Sequence, residues 1–186
     1  EKLRDFKFKT LDKKKVYLKE FYKDGPIAVN VWNLSCEPCK KEMPFLKALQ
    51  ESYRDAGLQV VLVSIDTDTT EIEAVKDLAV KNGLTFPVLS DRFNIVAKRY
   101  QVTELPCVYT ASEDAIIQTI HTGYGEGATE VMHEDVKKIL GVSPDAPLPA
   151  PLAAFFAPPV VKQPKAAQGK KKKKKKKKTR KHRTKK

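Results

Sequence analysis

The chain has 186 residues, 41% of them hydrophobic, with 36 Lys and Arg against 23 Asp and Glu and a formal net charge of +13. That length suits one domain of ordinary size with an appendage, and no apolar run approaches the ~20 residues of a membrane-spanning helix. The excess charge is local: Val142 to Lys186 holds 16 of the bases and a single acid, Asp145, so residues 1–141 carry 20 bases against 22 acids and are nearly neutral.

Short alternating runs at Phe6–Lys9 and Val16–Leu18 read as two edge strands, paired through a turn at Asp12–Lys15. After the turn Asp24-Gly25-Pro26, the apolar run Ile27–Trp32 reads as a buried strand. Ser35–Ala56 is helical in pattern, with Met43, Leu46, Leu49 and Tyr53 at steps of three and four, Gly57 as its stop and Pro44 as an internal kink. A second buried strand follows at Gln59–Ile65, then an amphipathic helix over Thr70–Asn82 stopped by Gly83. A strand-like piece at Thr85–Leu89 contains Pro87, and Arg92–Tyr100 is a short helix. Cys107–Ala111 and Ile116–Thr122 read as paired strands around Ser112–Asp114, and Thr129–Leu140 as a closing helix. Strands separated by helices imply an α/β fold with a largely parallel central sheet, to which the late hairpin adds an antiparallel edge.

Beyond Gly141 the composition changes. Residues 142–169 are rich in Pro and Ala and read as a polyproline-like or disordered linker, with Phe155-Phe156 as a small apolar spot. Residues 170–186 contain 14 Lys and Arg. Such a block repels itself and builds no core, so a disordered tail is expected.

Three cysteines in a domain of this size, two close together and one distant, point to thiol chemistry more than to a disulfide scaffold. Cys36-Glu37-Pro38-Cys39 lies where a buried strand enters a helix. Unpaired N–H groups and the helix dipole stabilise a thiolate at Cys36, and Cys39, one turn later, can resolve a mixed disulfide. Pro38 suits the first helical turn, whereas the charge of Glu37 opposes thiolate formation. The competing reading is half of a zinc site, but His121, His133 and His182 are scattered and Cys107 is alone. Asp66, Asp68 and Asp91 lie at strand and turn ends, where aspartate commonly caps, and no metal is expected.

Trp32-Asn33-Leu34-Ser35-Cys36-Glu37-Pro38-Cys39, followed by Pro44, resembles the active-site region of the TlpA/ResA group of extracytoplasmic thioredoxin-like proteins. Val63–Asp66 and Gly83–Val88 resemble that group's βα insertion, and Tyr100–Pro106 its approach to a cis-proline loop. The resemblance spans residues 1–141. It implies a thioredoxin-like three-layer sandwich, with a mixed sheet between helices, and a thiol-disulfide oxidoreductase, most simply a protein disulfide reductase, whose Cys36–Cys39 pair needs no further cofactor. It also implies a cis bond at Pro106, with Leu105 pairing with substrate chain. Trp32 is expected to pack under the site, and Glu71 (less so Glu73) becomes a candidate proton acceptor for Cys39, against the alternative of a solvated first-turn residue. Two positions depart from the pattern. Ser35 stands where the group often has an aromatic or small residue, and Cys107 stands where it has threonine. Cys107 is either a small buried residue or a third sulfur able to join exchange.

The implied partners are protein thiols and disulfides and a membrane electron donor, with the chain itself a monomer. The implied compartment is the periplasm or cell envelope, and a start at Glu1 reads as the end left by a removed leader. Lys170, Lys174, Lys178, Arg180 and Arg183 are candidate contacts for polyanions, bound without sequence reading because the tail has no aromatic residue to stack on bases. Two alternatives follow. In one, the folded domain only supports a polyanion-binding tail. In the other, the chain is a peroxiredoxin, although the stretch before Cys36 lacks the proline that normally precedes a peroxidatic cysteine.

Overall fold

The computed structural model describes residues 1–157. Among these described residues, seven strands form one sheet in the order β2-β1-β5-β4-β3-β6-β7. They are β1 (Lys7–Thr10), β2 (Lys15–Tyr17), β3 (Ile27–Trp32), β4 (Gln59–Ser64), β5 (Val88–Ser90), β6 (Cys107–Ala111) and β7 (Ile117–Thr122). β3, β4 and β5 are parallel, and the hairpins β1–β2 and β6–β7 join them antiparallel on either side. The α-helices of the described residues, α1 (Glu37–Tyr53), α2 (Thr69–Lys81), α3 (Ile95–Arg99), α4 (Ala128–Leu140) and α5 (Ala150–Phe156), cover the faces. The thioredoxin-like three-layer arrangement follows from this order.

β3 is buried along its whole length because it has neighbours on both edges and packed layers on both faces. Side-chain parity divides the core in two. Ala28 and Trp32 face a cluster with Cys39, Phe45, Leu46 and Leu49 of α1 and with residues of α2, α4 and α5. Ile27, Val29 and Val31 face the other cluster, with Leu18, Val63, Leu89 and Val96. Phe45, Leu46 and Leu49 are fully buried, each stabilising the fold by roughly 1.5–3 kcal/mol.

Element limits shift where local bonding decides them. α1 begins at Glu37 because Cys36 caps it, and it runs through Pro44. The helix expected from Arg92 starts at Ile95, since Asp91 accepts hydrogen bonds from the N–H groups of Ile95 and Val96 and Asn94 takes a left-handed φ of 54°. The strand expected at Thr85–Leu89 is displaced to Val88–Ser90, beyond Pro87, which lacks an N–H for the ladder.

The linker reading of 142–169 is corrected over part of its length. Pro149-Ala150-Pro151 starts α5, where prolines fit the first turn. Leu152 is fully buried, and the rings of Phe155 and Phe156 lie 5.4 and 6.1 Å from Phe45. Leu152, Phe155 and Phe156 recur at three and four, so this segment buries an apolar stripe against α1 instead of spanning solvent.

Candidate active site

Cys36 is the N-cap of α1, with extended backbone and its Sγ accepting from the Cys39 N–H at 3.1 Å. The unpaired donors of the first turn and the positive end of the helix dipole therefore face the sulfur that must carry negative charge. Cys36 and Cys39 form a disulfide with a Cα–Cα distance of 5.3 Å. Their exposure differs: Cys36 is half-buried, whereas Cys39 is 2% exposed. Cys36 is thus the sulfur open to an approaching molecule, and Cys39 lies behind it. Pro38 occupies the first turn of α1. Glu37 is exposed, and Lys40 hydrogen-bonds it at 2.7 Å and holds its carboxyl below the usual range. That partner offsets part of the repulsion Glu37 exerts on a Cys36 thiolate.

The loop leading to Cys36 is tied to the end of β4. The Leu34 N–H donates to both carboxylate oxygens of Asp66, at 3.1 and 3.2 Å, and the Ser64 hydroxyl donates to Asp66 at 2.7 Å. Asp66 is buried. Asp68 and Asp91 cap helices as their positions in the sequence suggest, but Asp66 clamps the active-site loop. Trp32, the last residue of β3, is fully buried in the cluster that holds Cys39. The Leu105–Pro106 bond is cis, Pro106 is buried, and Leu105 packs partly exposed against the same cluster.

Two expected support residues are engaged in other contacts. Glu71 is exposed at the start of α2, where its carboxylate accepts from the Asp68 and Thr67 N–H groups at 3.0 and 3.2 Å. It closes a capping box with Asp68, and so is a helix cap. Cys107 pairs with Val31 and packs with Val29, Val31, Val63 and Tyr109, on the opposite face of the sheet from Cys39. Its thiol is 1% exposed and pushed up in pKa by burial. A neutral, shielded thiol on that face is a core residue.

Glu42 is the acid that the sequence reading missed. It lies three residues after Cys39 on α1, is 1% exposed, and accepts a 2.7 Å hydrogen bond from the Asn30 amide of β3. Burial pushes its carboxyl up to about 7, with the Asn30 bond opposing. Asn30 pairs with Val108 of β6, so Glu42 lies beneath the strand that follows the cis-proline. The signal was present: Cys39, Glu42, Leu46 and Leu49 share the buried stripe of α1, where a carboxylate has no ordinary place.

Residues 1–120 match the AhpC/TSA family. The chain is 36% identical over 130 residues to the thiol-disulfide oxidoreductase ResA of Bacillus thuringiensis subsp. konkukian, covering 69% of this chain and 71% of that protein. It is 37% identical over 119 residues to the thioredoxin-like protein YneN of Bacillus subtilis, covering 64% and 68%. The crystal structure of a putative thiol:disulfide interchange protein DsbE from Chlorobium tepidum superposes with a TM-score of 0.69 over 76% of this chain and 96% of that one; at 21% identity it speaks for the fold alone. With its two cysteines placed as described, the chain belongs to the AhpC/TSA family and is a thiol-disulfide oxidoreductase similar to the ResA proteins.

Proposed function

We propose that the protein acts outside the cytoplasm as a reductant of protein disulfides, is recharged by a membrane-bound electron donor, and needs no cofactor beyond its cysteine pair. The observation that carries this reading is the disposition of Cys36, Cys39 and Glu42. In the reduced protein the Cys36 thiolate attacks one sulfur of a substrate disulfide. A Cys36–substrate disulfide forms and the other substrate sulfur leaves as thiolate. Cys39 then passes its proton to Glu42 and attacks the Cys36 sulfur. The Cys36–Cys39 disulfide closes and the second substrate thiolate is released, so two electrons have passed to the substrate, whose thiolates take up two protons. A carboxyl titrating near neutrality suits the transfer, because it accepts the thiol proton and returns it at little cost. Leu105, beside the cis-proline, is positioned to pair with the substrate backbone.

The deciding experiment is a titration of the pair against glutathione or dithiothreitol, followed by Trp32 fluorescence and thiol-trapping mass spectrometry. A potential near or below about −220 mV supports a reductant, and a much higher value makes the protein an oxidant or isomerase.

A second reading concerns the tail, whose candidate contacts Lys170, Lys174, Lys178, Arg180 and Arg183 lie outside the described residues. The 14 bases among residues 170–186 support non-specific polyanion binding. Binding to heparin that falls steeply with salt, survives C36S/C39S and vanishes on deletion of residues 158–186 is the expected result. Binding unchanged by the deletion sinks it.

A further inference from the structure

The strand registers define one row across the sheet. Trp32 pairs with Ser64, Ser64 with Ser90, Ser90 with Lys9, and Lys9 with Lys15. The row begins four residues before Cys36 and ends on two lysines directly opposite each other. Like charges facing across an antiparallel pair destabilise it, so the hairpin keeps this pair against its own stability. Beside the pair lies a groove of about 330 Å³, lined by β1, by Ile72 and Glu73 of α2, and by the β5–α3 loop with Arg92 and Phe93. Lys7, Lys9, Lys13, Lys15 and Arg92 all border it. None of the five makes an ion pair among the described residues, although Lys7 lies over the Tyr17 ring. Of the two lining acids, Asp91 is committed to the N–H groups of α3, which leaves Glu73 facing five cations. Apolar surface accompanies the charge, since Phe93 is 73% exposed and Ile95 46%.

We infer that this groove docks an acidic segment of the substrate protein, carrying an aromatic or aliphatic side chain and placed a short way along the chain from the cysteine that Cys36 attacks. The inference rests on the reductase reading for the partner's identity as a substrate. Charge complementarity selects the occupant, and the chain's own basic tail has the wrong sign to compete. Concavity favours a peptide over a lipid surface, because a flat bilayer does not enter a groove between a strand and a helix. The row sets the spacing. Lys9 is three strands from Trp32, a span of ~14 Å at ~4.8 Å per strand, which an extended chain at ~3.3 Å per residue crosses in four or five residues. Acidic residues four to seven positions from the substrate cysteine therefore reach Lys9, Lys15 and Arg92.

The test uses the full chain and its K9E/R92E variant. Lys9→Glu turns the like-charged pair with Lys15 into one of opposite sign, so the hairpin is not weakened and the thermal midpoint does not fall. Disulfide-bearing peptides with an Asp-Phe-Glu block four to seven residues from the cysteine, or fifteen residues away, are compared as substrates. The near-block peptide should have the lower KM with the wild type. In the variant that KM should rise about tenfold with kcat held, while oxidised glutathione turns over as before. The Lys-rich C-terminal residues are common to both proteins and cancel in the comparison. Equal KM values in wild type and variant overturn the inference. So does loss of binding to phosphatidylglycerol vesicles with peptide kinetics unchanged, which would make this face a lipid contact. If neither protein reduces any disulfide, the reductase reading fails by itself. Fluorescence anisotropy with a near-block peptide carrying serine for cysteine then still decides the groove: about tenfold weaker binding to the variant supports it, and equal binding ends it.

Discussion

Glu42 and Asn30 meet across the interface of α1 and β3, with the amide nitrogen 2.7 Å from the carboxylate, beside a cluster of apolar side chains. Burial raises the carboxyl from 4.5 to about 7, so the folded state binds a proton more tightly than the unfolded chain between those values. Stability therefore falls as pH rises from about 4.5 to about 7, by roughly 3 kcal/mol in all. Glu42→Gln keeps the shape and removes the titration. Urea unfolding midpoints of the variant should stay flat across that window while those of the wild type decline. The same variant should lose the pH dependence of its resolving step near neutrality, read by stopped-flow closure of the Cys36–Cys39 disulfide. A wild-type midpoint independent of pH in this range counts against a buried, titrating Glu42.

The unequal exposure of the two cysteines assigns them different roles. Cys36→Ser should abolish disulfide reduction. Cys39→Ser should retain the first attack and accumulate Cys36–substrate mixed disulfides, visible as a mass shift on non-reducing gels. Full turnover by Cys36→Ser would remove the mechanism.

Cys107 gives the contrasting expectation. Its thiol faces the far side of the sheet and is shielded, so Cys107→Ser should leave the redox potential of the pair and the turnover unchanged. The hydroxyl enters an apolar cluster, and a loss of about 1–3 kcal/mol is expected from chemical denaturation. Alkylation of native protein with iodoacetamide should spare Cys107 until unfolding.

Asp66 holds the Leu34 N–H, two residues before Cys36, and Asp66→Ala leaves that donor and the Ser64 hydroxyl without their partner. The expected cost is about 1–3 kcal/mol. Turnover with protein substrate should fall at temperatures where the variant is fully folded, because the cap geometry at Cys36 loosens. An unchanged kcat in a folded variant would show that the clamp serves stability alone.

The contact of α5 with α1 also carries stability. Leu152→Ala empties a fully buried site and should cost about 2–5 kcal/mol. Cutting after Phe156 instead should leave the thermal midpoint unchanged, since Leu152, Phe155 and Phe156 all remain. A large drop on that cut would give residues beyond α5 a structural part.

Much of this was legible in the chain because it depends on near neighbours. The cap at Cys36, the proline of the first turn and the CxxC spacing are local properties of about one helical turn. β3 and β4 announce themselves as apolar runs, because a strand covered on both faces has no polar positions to alternate with. Glu71 misled for a related reason: an acid in the first turn of a helix looks alike whether it caps or catalyses. α5 was hidden by its prolines, which mark a linker in composition and a helix start in position, and only the packing of Phe155 and Phe156 on the buried ring of Phe45 separates the two.

From sequence alone came the reaction class, the two sulfurs that perform it and the sheet-and-helix order that supports them, since each rests on spacings within one element or between adjacent ones. Strand register and layer packing decided the rest. Register placed Cys107 behind the sheet, set Lys9 against Lys15 and brought Arg92 to the same groove. Packing of α1 on β3 buried Glu42 beside Asn30 and moved its carboxyl toward neutrality. Those outcomes depend on contacts between residues distant in the chain, and a single sequence does not contain the geometry that makes them neighbours.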